Sequence, residues 1–475
     1  MSERPTLTLK DVRFFERDVI LRMPFRFGVV TLREAPQIFV EARIELPGGS
    51  ESVGYSAEVL APKWFDKSPD LTNEDNFDQL RQALAIAAAA YRAETRPHTA
   101  FGLLAAGAPQ IIDVATKKGL PPLVATFGPA LLDRAILDAL TRHLGISIFA
   151  AAQKNIFGLD ASLTPDLAGF DFTALLATLK PANTIAARHT VGLVDPITAG
   201  DLTPETRVGD GLPETLEEVV AATGIRHFKL KVGGDIDADI ARLEAIAGVI
   251  DAGGDYLATL DGNEQYADVD GVLALWEAIK GAPKLRRMAG SIAFIEQPIA
   301  RSSALERDIR PLAAQKAVEI DESDGTLDAF LEAKALGYTG VSSKSCKGFY
   351  RSLLNRSRCA KWNAQEGAGT YFMSAEDLTT QAGLGVQQDI ALATLIGCTH
   401  IERNGHHYVD GMAALDEAEQ AAFLAAHPDL YHRAHGAVRV NIKDGMLSIG
   451  SLDQPGLASG ALPDIGAMRT VSPSL

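Results

Sequence analysis

The chain has 475 residues, and 45 basic against 61 acidic side chains give it a formal net charge of −16. A chain of this length has room for roughly two to four domains, and a composition of 47% hydrophobic and 22% charged residues is ordinary for a soluble globular protein. So acidic a sequence excludes a general nucleic-acid-binding surface, which needs a basic footprint. It also contains no polybasic stretch of the kind that docks on anionic membranes.

The three cysteines, Cys346, Cys359 and Cys398, cannot form a disulfide framework and contain no Cys-x-x-Cys pair. Such sparse cysteine usage fits a reducing compartment. The first residues, MSERPTLTLKD, have no apolar signal core, and no apolar run approaches the roughly 18 residues of a membrane-spanning helix. We therefore expect a cytoplasmic protein without a membrane partner.

The first 60 residues have the pattern of β-strands. Apolar side chains alternate with polar ones from Ile38 to Leu46, which is the period of a half-buried strand. The turn sequence Pro47-Gly48-Gly49 follows, and Ser52–Glu58 is predicted to return as the second arm of a hairpin.

Helical signals come next. Thr72–Asp75 resembles a helix start before the alanine-rich segment 77–93. Pro129 is suited to a first helical turn, an apolar stripe runs from Leu132 to Leu140, and Gly145 is suited to a helix end. Residues 1–188 are therefore expected to form an α+β unit, with a weakly patterned connector or insertion over 158–187.

From about residue 190, short apolar runs recur at intervals of about 23–37 residues, each followed by a helical stretch. The eight runs are Thr190–Val194, His227–Val232, Tyr256–Leu260, Ile292–Ile295, Ala317–Ile320, Gly340–Ser343, Thr370–Met373 and Cys398–Ile401. This rhythm predicts a parallel (β/α) barrel over 189–405. A doubly wound open sheet is the alternative, but Val194-Asp195-Pro196 is not the glycine-rich phosphate loop that usually follows the first strand of such a sheet.

The tail, residues 406–475, has β-character again. Val438–Ile442 and Met446–Ile449 flank Lys443-Asp444-Gly445, which is a hairpin signal. Because an isolated hairpin is only marginally stable, we expect this tail to rejoin the N-terminal unit.

The candidate chemistry lies where the runs end, because active sites of such barrels occupy the carboxyl ends of the strands. The second to sixth runs end in Lys229-Leu230-Lys231, Asp261-Gly262-Asn263, Glu296-Gln297-Pro298, Asp321-Glu322-Ser323 and Lys344-Ser345-Cys346-Lys347. Taken singly, the carboxylates suit helix N-caps and the lysines suit solvent-facing strand ends. Taken together, three carboxylates at one barrel mouth repel each other unless a cation lies between them, and Mg²⁺ prefers such oxygen ligands.

The lysines complete this pattern. Lys229 and Lys231 are two residues apart, so they project to the same face of a strand, and Lys231 is expected to face Lys344 across the barrel. A lysine acts as a base only when it is neutral, so its pKa must fall from about 10.4; a nearby cation and burial lower it. The predicted reaction is removal of a proton alpha to a carboxylate, with the negative charge stabilised by the metal.

These residues resemble the enolase superfamily, and within it the muconate lactonizing enzyme subgroup of the mandelate racemase/muconate lactonizing enzyme family. The resemblance implies an α/β fold: a modified (β/α)7β TIM-type barrel with an α+β capping domain made from the N-terminal part and the C-terminal tail. It implies Lys231 as the base, Lys344 as the opposing acid–base group and Lys229 as their companion. It also implies Asp261, Glu296 and Asp321 as ligands of Mg²⁺, with Mn²⁺ as a substitute.

Further motifs extend the resemblance over nearly the whole chain. Phe25-Arg26-Phe27-Gly28 and Gly54–Glu58 resemble the two loops by which the capping domain closes over substrate, and Pro455-Gly456-Leu457 resembles a C-terminal signature. The resemblance therefore implies a small-molecule carboxylate as partner and leaves a homo-oligomer open. The residues expected to contact this substrate are Arg26, Tyr55, Asn263 and Glu402.

Departures from the family leave the substrate open. The sixth-strand motif, Lys344 to Phe349, lacks one glycine, and Ile401–Asn404 stands where dipeptide epimerases carry Asp-x-Asp. Three functions remain: a lysine-pair racemase, epimerase, cycloisomerase or syn-eliminating enzyme; an acid-sugar dehydratase; and a non-catalytic scaffold. The dehydratase would place a histidine at the end of the seventh run, where Met373-Ser374-Ala375 stands.

Two weaker signals have ordinary alternatives. Glu376-Asp377 can line the pocket or cap the next helix, and capping is the commoner role. His400, His406 and His407 follow no common zinc-ligand spacing and are better explained as packing or surface histidines.

Overall fold

The computed structural model describes residues 4–27 and 30–474, so Gly28 of the first predicted capping loop lies outside the described residues. The strands are β1 Thr8–Phe27, β2 Val30–Glu45, β3 Glu51–Val59, β4 Thr184–Val191, β5 His227–Lys231, β6 Leu257–Asp261, β7 Ile292–Glu296, β8 Ala317–Ile320, β9 Gly340–Ser343, β10 Phe372–Ala375, β11 His400–Glu402, β12 Tyr431–Ala434, β13 Ala437–Val440, β14 Ile442–Lys443, β15 Met446–Ser448 and β16 Arg469–Val471. The helices are α1 Asn73–Ala93, α2 Ala100–Lys117, α3 Pro122–Leu144, α4 Ile148–Gln153, α5 Phe172–Thr178, α6 Leu216–Thr223, α7 Ile236–Ile250, α8 Val269–Gly281, α9 Arg286–Ser291, α10 Arg301–Ala304, α11 Arg310–Ala313, α12 Ala329–Leu336, α13 Phe349–Glu366, α14 Leu384–Leu395, α15 Gly405–Tyr408 and α16 Glu417–Ala426. Among the described residues, no helix combines the length and apolar composition that crossing a membrane requires.

The N-terminal part is an antiparallel sheet covered by helices. Strands β1, β2 and β3 are hydrogen-bonded neighbours, as the alternation from Ile38 and the turn at Pro47 predicted. The apolar side chains of β2, such as Val40 and Ile44, are fully buried in the main core. Helices α1 and α3 share that core, and a smaller buried cluster of Phe15, Phe39, Ala57 and Leu384 covers part of the opposite face of the sheet.

The ends of these helices follow their local sequence signals. Thr72 caps α1 through a reciprocal capping box with Asp75, and Gly145 ends α3 in the left-handed conformation at φ 65°. The prediction for Pro129 is wrong: α3 begins at Pro122, and Pro129 lies inside the helix. Next to it, Gly128 lets α3 approach α1 closely, because a Cβ there would lie 2.1 Å from the Ala83 carbonyl oxygen.

The barrel strands are β4 to β11, and each hydrogen-bonded neighbour among them runs parallel. The order is β10-β9-β8-β7-β6-β5-β4, with β11 paired to the other side of β4. The predicted fold class, a TIM-type barrel with an α+β capping domain, is therefore confirmed. The first strand begins at Thr184, earlier than predicted from Thr190, because the buried polar side chains Arg188 and His189 interrupt its apolar pattern.

The C-terminal segment contacts both parts of the fold. The last strand, β16, pairs with Phe14–Glu16 of β1, so the tail does complete the capping sheet. The β14–β15 hairpin does not join that sheet, since β15 pairs antiparallel with residues 184–186 of β4. That stretch of β4 precedes the pairing with β5, which starts at Arg188, so its edge is free to accept β15. The domain division at 188/189 and 405/406 stays a prediction.

Candidate active site

A cavity of about 440 Å³ opens at the carboxyl ends of the barrel strands. The capping part supplies an apolar wall from Phe25, Leu32, Ala61 and Trp64. The barrel supplies a polar wall that contains seven of the ten predicted site residues: Lys229, Lys231, Asp261, Asn263, Asp321, Lys344 and Glu402. An eighth, Glu296, is fully buried beside them.

Lys229 lies at the centre of the polar wall. Its Nζ is 3.0 Å from Asp261 Oδ2 and 2.8 Å from Glu296 Oε1. It is also 2.9 Å from Glu376 Oε2 and 3.0 Å from Glu402 Oε2. One ammonium group therefore ties together the ends of four other strands, which explains how so many carboxylates share a buried site.

Lys231 and Lys344 are each tied to a different carboxylate. Lys231 donates to Asp261 at 2.5 Å, and Lys344 donates to Asp321 at 2.7 Å. Lys344 also donates to Glu376, whereas Asp261 is the carboxylate in contact with Lys231 within the described residues. The strand ends thus bring the predicted lysine pair to one cavity, but in unequal surroundings.

The structure adds two buried residues to the site: Glu376, for which the sequence left open a pocket or a capping role, and Arg188, which sequence reasoning missed. Glu376 does not cap a helix, because its carboxylate contacts Lys229, Lys344 and, at 2.6 Å, Nη2 of Arg188. Arg188 also donates to His400 Nδ1 at 2.9 Å. The position of Glu376 directly after the seventh run was a usable signal, but Arg188 stood outside every predicted strand.

Carboxylates of the site fit a divalent cation. Among the described residues, Glu296, Glu319 and Glu376 present oxygens that all lie within 4.8 Å of one another. Of the three predicted ligands only Glu296 belongs to this group, so the assignment of Asp261 and Asp321 as ligands stays a prediction. Burial, together with the charges of Asp261 and Glu376, raises the pKa of Glu296 well above its usual range, and burial raises the pKa of Glu319 to about 8. Oε2 of Glu319 is buried and accepts no hydrogen bond from the described residues. Such an excess of hard oxygen donors is what Mg²⁺ or Mn²⁺ would neutralise.

The same carboxylates decide the protonation of the lysines. Burial alone would lower the pKa of Lys229, but Asp261 and Glu296 raise it well above its usual value. Burial would also lower the pKa of Lys344, but the nearby carboxylates, mainly Asp321, raise it well above its usual value. In this arrangement the contacting carboxylates outweigh desolvation for both lysines.

The remaining two predicted site residues lie elsewhere. Arg26 is exposed on β1; its neighbour Phe25 points into the cavity, and alternation along a strand turns Arg26 to the opposite face. Tyr55 is not in a loop but in β3, where its hydroxyl donates to Glu41 at 3.1 Å. Neither residue is part of the described cavity lining, and their contact with substrate stays a prediction.

Asn263 and Glu402 keep their predicted places at the cavity. Asn263 has a positive φ of 40°, and its backbone N–H donates to Asp261 at 2.8 Å. Glu402 accepts from Thr190 at 2.5 Å and from Asn404 at 3.0 Å. The bonds to Glu402 hold its side chain beside Lys229, and the bond to Asp261 fixes the backbone of Asn263.

Three histidines pack together outside the barrel wall. The ring of His189 lies 5.3 Å from that of His406 and 4.9 Å from that of His407. Burial lowers the pKa of His406 to about 4. Within the described part of the chain, histidines are not part of the metal-competent group, which is consistent with packing.

A family model described as "Enolase C-terminal domain-like" matches residues 211–459. No curated protein sequence matches the chain at a significant level. Among solved structures, a dipeptide epimerase from Enterococcus faecalis V583 complexed with Mg and the dipeptide L-Leu-L-Tyr superimposes with a TM-score of 0.60 at 16% identity, covering 95% of this chain and 99% of that one. An N-succinyl Arg/Lys racemase from Bacillus cereus gives 0.59 at 15% identity, with coverages of 98% and 97%. A mandelate racemase/muconate lactonizing protein from Herpetosiphon aurantiacus gives 0.58 at 16% identity, with coverages of 96% and 99%.

Proposed function

Because this chain belongs to the enolase superfamily, we propose that it removes a proton alpha to the carboxylate of a small-molecule substrate, using a lysine pair and Mg²⁺. The products would arise by racemisation or epimerisation, cycloisomerisation or syn β-elimination. The observation that carries the proposal is the placement of Lys231 and Lys344 at one cavity, each in contact with a different predicted metal ligand.

Each residue of the pair has a defined role. Lys231, with its single carboxylate contact, takes the proton from the alpha carbon, and Lys344 delivers or takes a proton on the other face. Lys229 holds Asp261 and Glu296 in position. Mg²⁺, bound by Asp261, Glu296 and Asp321, would supply positive charge to the substrate carboxylate and so acidify the alpha proton.

The cavity walls limit the substrate class. The apolar wall of Phe25, Leu32 and Trp64 faces the polar strand ends, so the substrate should carry an apolar part opposite its carboxylate. Asn263 and Glu402 offer hydrogen bonds to its polar groups.

The first test is calorimetric titration of chelator-treated protein with Mg²⁺. Saturable binding is expected in the wild type, with at least a tenfold loss in Asp261→Ala. Asp255→Ala removes the same charge from a solvent-exposed site and should bind as the wild type does. Absence of binding by the wild type would remove the basis for the enzymatic proposal and favour the scaffold.

A further inference from the structure

Trp64 lies between the capping part and the barrel, in the wall of the catalytic cavity. Its side chain is 5% exposed and belongs to the turn that follows β3. On the barrel side, Nζ of Lys344 lies over the indole at 5.0 Å from the ring centroid, a favourable arrangement of a cation and an aromatic face. On the capping side, the ring packs edge-on against Phe65 at a centroid distance of 4.7 Å. The position of this turn therefore decides where the apolar wall lies relative to Lys344.

The turn is fastened to the barrel by Arg301, the first residue of α10. Its Nη2 donates to the carbonyl oxygen of Trp64 at 2.8 Å, and its Nη1 donates to that of Phe65 at 3.0 Å. The same guanidinium donates to both carboxylate oxygens of Glu264 at 2.9 Å. Because a guanidinium presents five donors in one rigid plane, a single side chain can hold two consecutive carbonyls and a carboxylate together.

Glu264 fixes Arg301 in turn and gives the capping segment a second point of attachment. Its carboxylate also accepts from the backbone N–H of Arg301 at 2.7 Å. Lys67, three residues after Trp64, forms an ion pair with Glu264 and donates to the carbonyl oxygen of Asn263 at 3.1 Å. The side chain of Glu264 is 6% exposed. One cation from the barrel and one from the capping part thus meet on a single buried carboxylate.

We propose that Arg301 is a positioning residue, which fixes Trp64 over Lys344 and so sets how far the catalytic cavity extends toward the capping part. Arg301 is not among the described residues that line the cavity, so it acts through Trp64. Without its guanidinium, the turn loses both carbonyl contacts, and the indole can move away from Lys344. The proposal rests on the proposed function only in treating the cavity as catalytic.

Tryptophan fluorescence tests this role without a substrate or a metal. The chain contains three tryptophans, so two full-length reporters can be made by replacing the other two with phenylalanine. One reporter retains Trp64, and the other retains Trp362, which lies in α13 away from the turn. Acrylamide quenching measures how far each ring is exposed. With Arg301 present, both reporters should be weakly quenched, because Trp64 is 5% and Trp362 is 6% exposed.

Arg301→Gln should raise the Stern–Volmer quenching constant of Trp64 by about threefold or more, because local opening of the turn exposes the ring. The constant of Trp362 should not change, whereas a general loosening of the fold would raise both. Arg301→Lys keeps the charge beside Glu264 but loses the planar fork, so it should also raise the constant of Trp64.

Arg287→Gln is the matched control. Arg287 also binds a backbone carbonyl and a carboxylate, those of Asp251 at 2.9 Å and Asp255 at 3.1 Å, but on the surface. It should leave the quenching of both reporters unchanged. If circular dichroism shows that Arg301→Gln is unfolded, Glu264→Gln replaces it, since it releases the same guanidinium and should raise the quenching of Trp64.

Three results would overturn the proposal. The first is an unchanged quenching constant of Trp64 in Arg301→Gln. The second is an equal rise for Trp64 and Trp362, which would assign Arg301 to the stability of the whole fold. The third is a wild-type constant in Arg301→Lys, which would mean that the charge beside Glu264, and not the grip on the turn, is what matters. Since no catalytic step enters the measurement, each of these results leaves the proposed lysine chemistry standing.

Discussion

The Glu376 carboxylate lies 2.6 Å from the Arg188 guanidinium, and neither side chain is exposed to solvent. The other oxygen of Glu376 contacts Lys229 and Lys344. Glu376 therefore balances three buried cations from β4, β5 and the end of β9. It shares this role at Lys229 with Asp261, Glu296 and Glu402, and at Lys344 with Asp321.

Replacing Glu376 by glutamine should destabilise the protein by about 3–5 kcal/mol, because the buried Arg188 guanidinium loses the carboxylate that contacts it. Urea unfolding followed by circular dichroism measures this change. Glu277→Gln, at an exposed ion pair with Lys280, is the matched control and should change the free energy of unfolding by less than about 0.5 kcal/mol. Similar effects of the two substitutions would show that Glu376 is not needed to balance these cations.

If Lys231 and Lys344 act as a pair, replacing either one alone should reduce turnover. With a small carboxylate that the wild type exchanges, Lys231→Gln and Lys344→Gln should each reduce turnover by about 10²-fold or more, because each removes one acid–base group. Incorporation of deuterium from solvent, followed by NMR, measures the step directly. Both variants should still bind Mg²⁺, and Lys284→Gln at the surface should be fully active. Undiminished deuterium incorporation by both site variants would contradict the two-base picture.

A buried ion pair joins the capping part to the barrel. Arg134 of α3 donates to Glu58 of β3 at 3.2 Å and to Gln388 of α14 at 3.2 Å, while Ser345 donates to Glu58 at 3.2 Å. Glu58 thus belongs to an interface, not to a substrate loop.

Arg134→Met should cost about 3–5 kcal/mol, because it leaves Glu58 buried without its cation. Adding Glu58→Gln should recover at least about 1 kcal/mol, since the neutral amide no longer needs that cation. Thermal unfolding of the two single variants and the double variant completes the cycle. Arg92→Met, at an exposed pair with Asp11, controls for the loss of an arginine. Strictly additive effects would mean that Arg134 and Glu58 do not act together.

The buried carboxyl group of Asp133, which lies outside the candidate active site, should make the stability of the fold depend on pH. Burial raises the pKa of Asp133 to about 8, although its carboxylate accepts from Tyr91 at 2.7 Å. The unfolded value is about 3.9, so the folded state retains a proton that the unfolded state releases between roughly pH 4 and pH 8. The stabilisation is complete below pH 4 and is lost as the pH rises through 8.

Asp133→Asn keeps the hydrogen-bond acceptor for Tyr91 and removes this titration. Its stability relative to the wild type should rise with pH by up to about 1.4 kcal/mol per unit between pH 5 and pH 8. Melting temperatures at each pH measure the difference, with the exposed Asp113→Asn as control. A difference that does not vary with pH would show that Asp133 is already ionised in the fold.

Local signals in the sequence were enough for the parts of the fold that depend on local physics. The cap at Thr72, the helix end at Gly145 and the strand ends at Lys231 and Lys344 each follow from a few adjacent residues. The barrel was predicted from the regular spacing of short apolar runs. Such runs indicate parallel strands, because strands that are buried on both faces are apolar along their length.

What sequence reasoning missed depends on contacts between distant strands. The pairing of Arg188 with Glu376 joins residues 188 positions apart. Arginine and glutamate are rarely buried in proteins, so neither residue was expected in the core. Arg26 and Tyr55 lie outside the described cavity lining for a related reason. Strand alternation fixes which neighbours share a face, but sequence alone does not say which of the two faces looks into the cavity.

The pairing of Val471 in β16 with Phe14 in β1 joins the last strand of the chain to the first. During synthesis on the ribosome, the capping sheet therefore cannot gain its fourth strand before the whole barrel has been translated. Until then the outer edge of β1 offers unpaired backbone groups at residues 14–16, a template for contact with other nascent chains. Contacts of such long sequence separation are slow to form, so completion of this sheet should be a late event in folding.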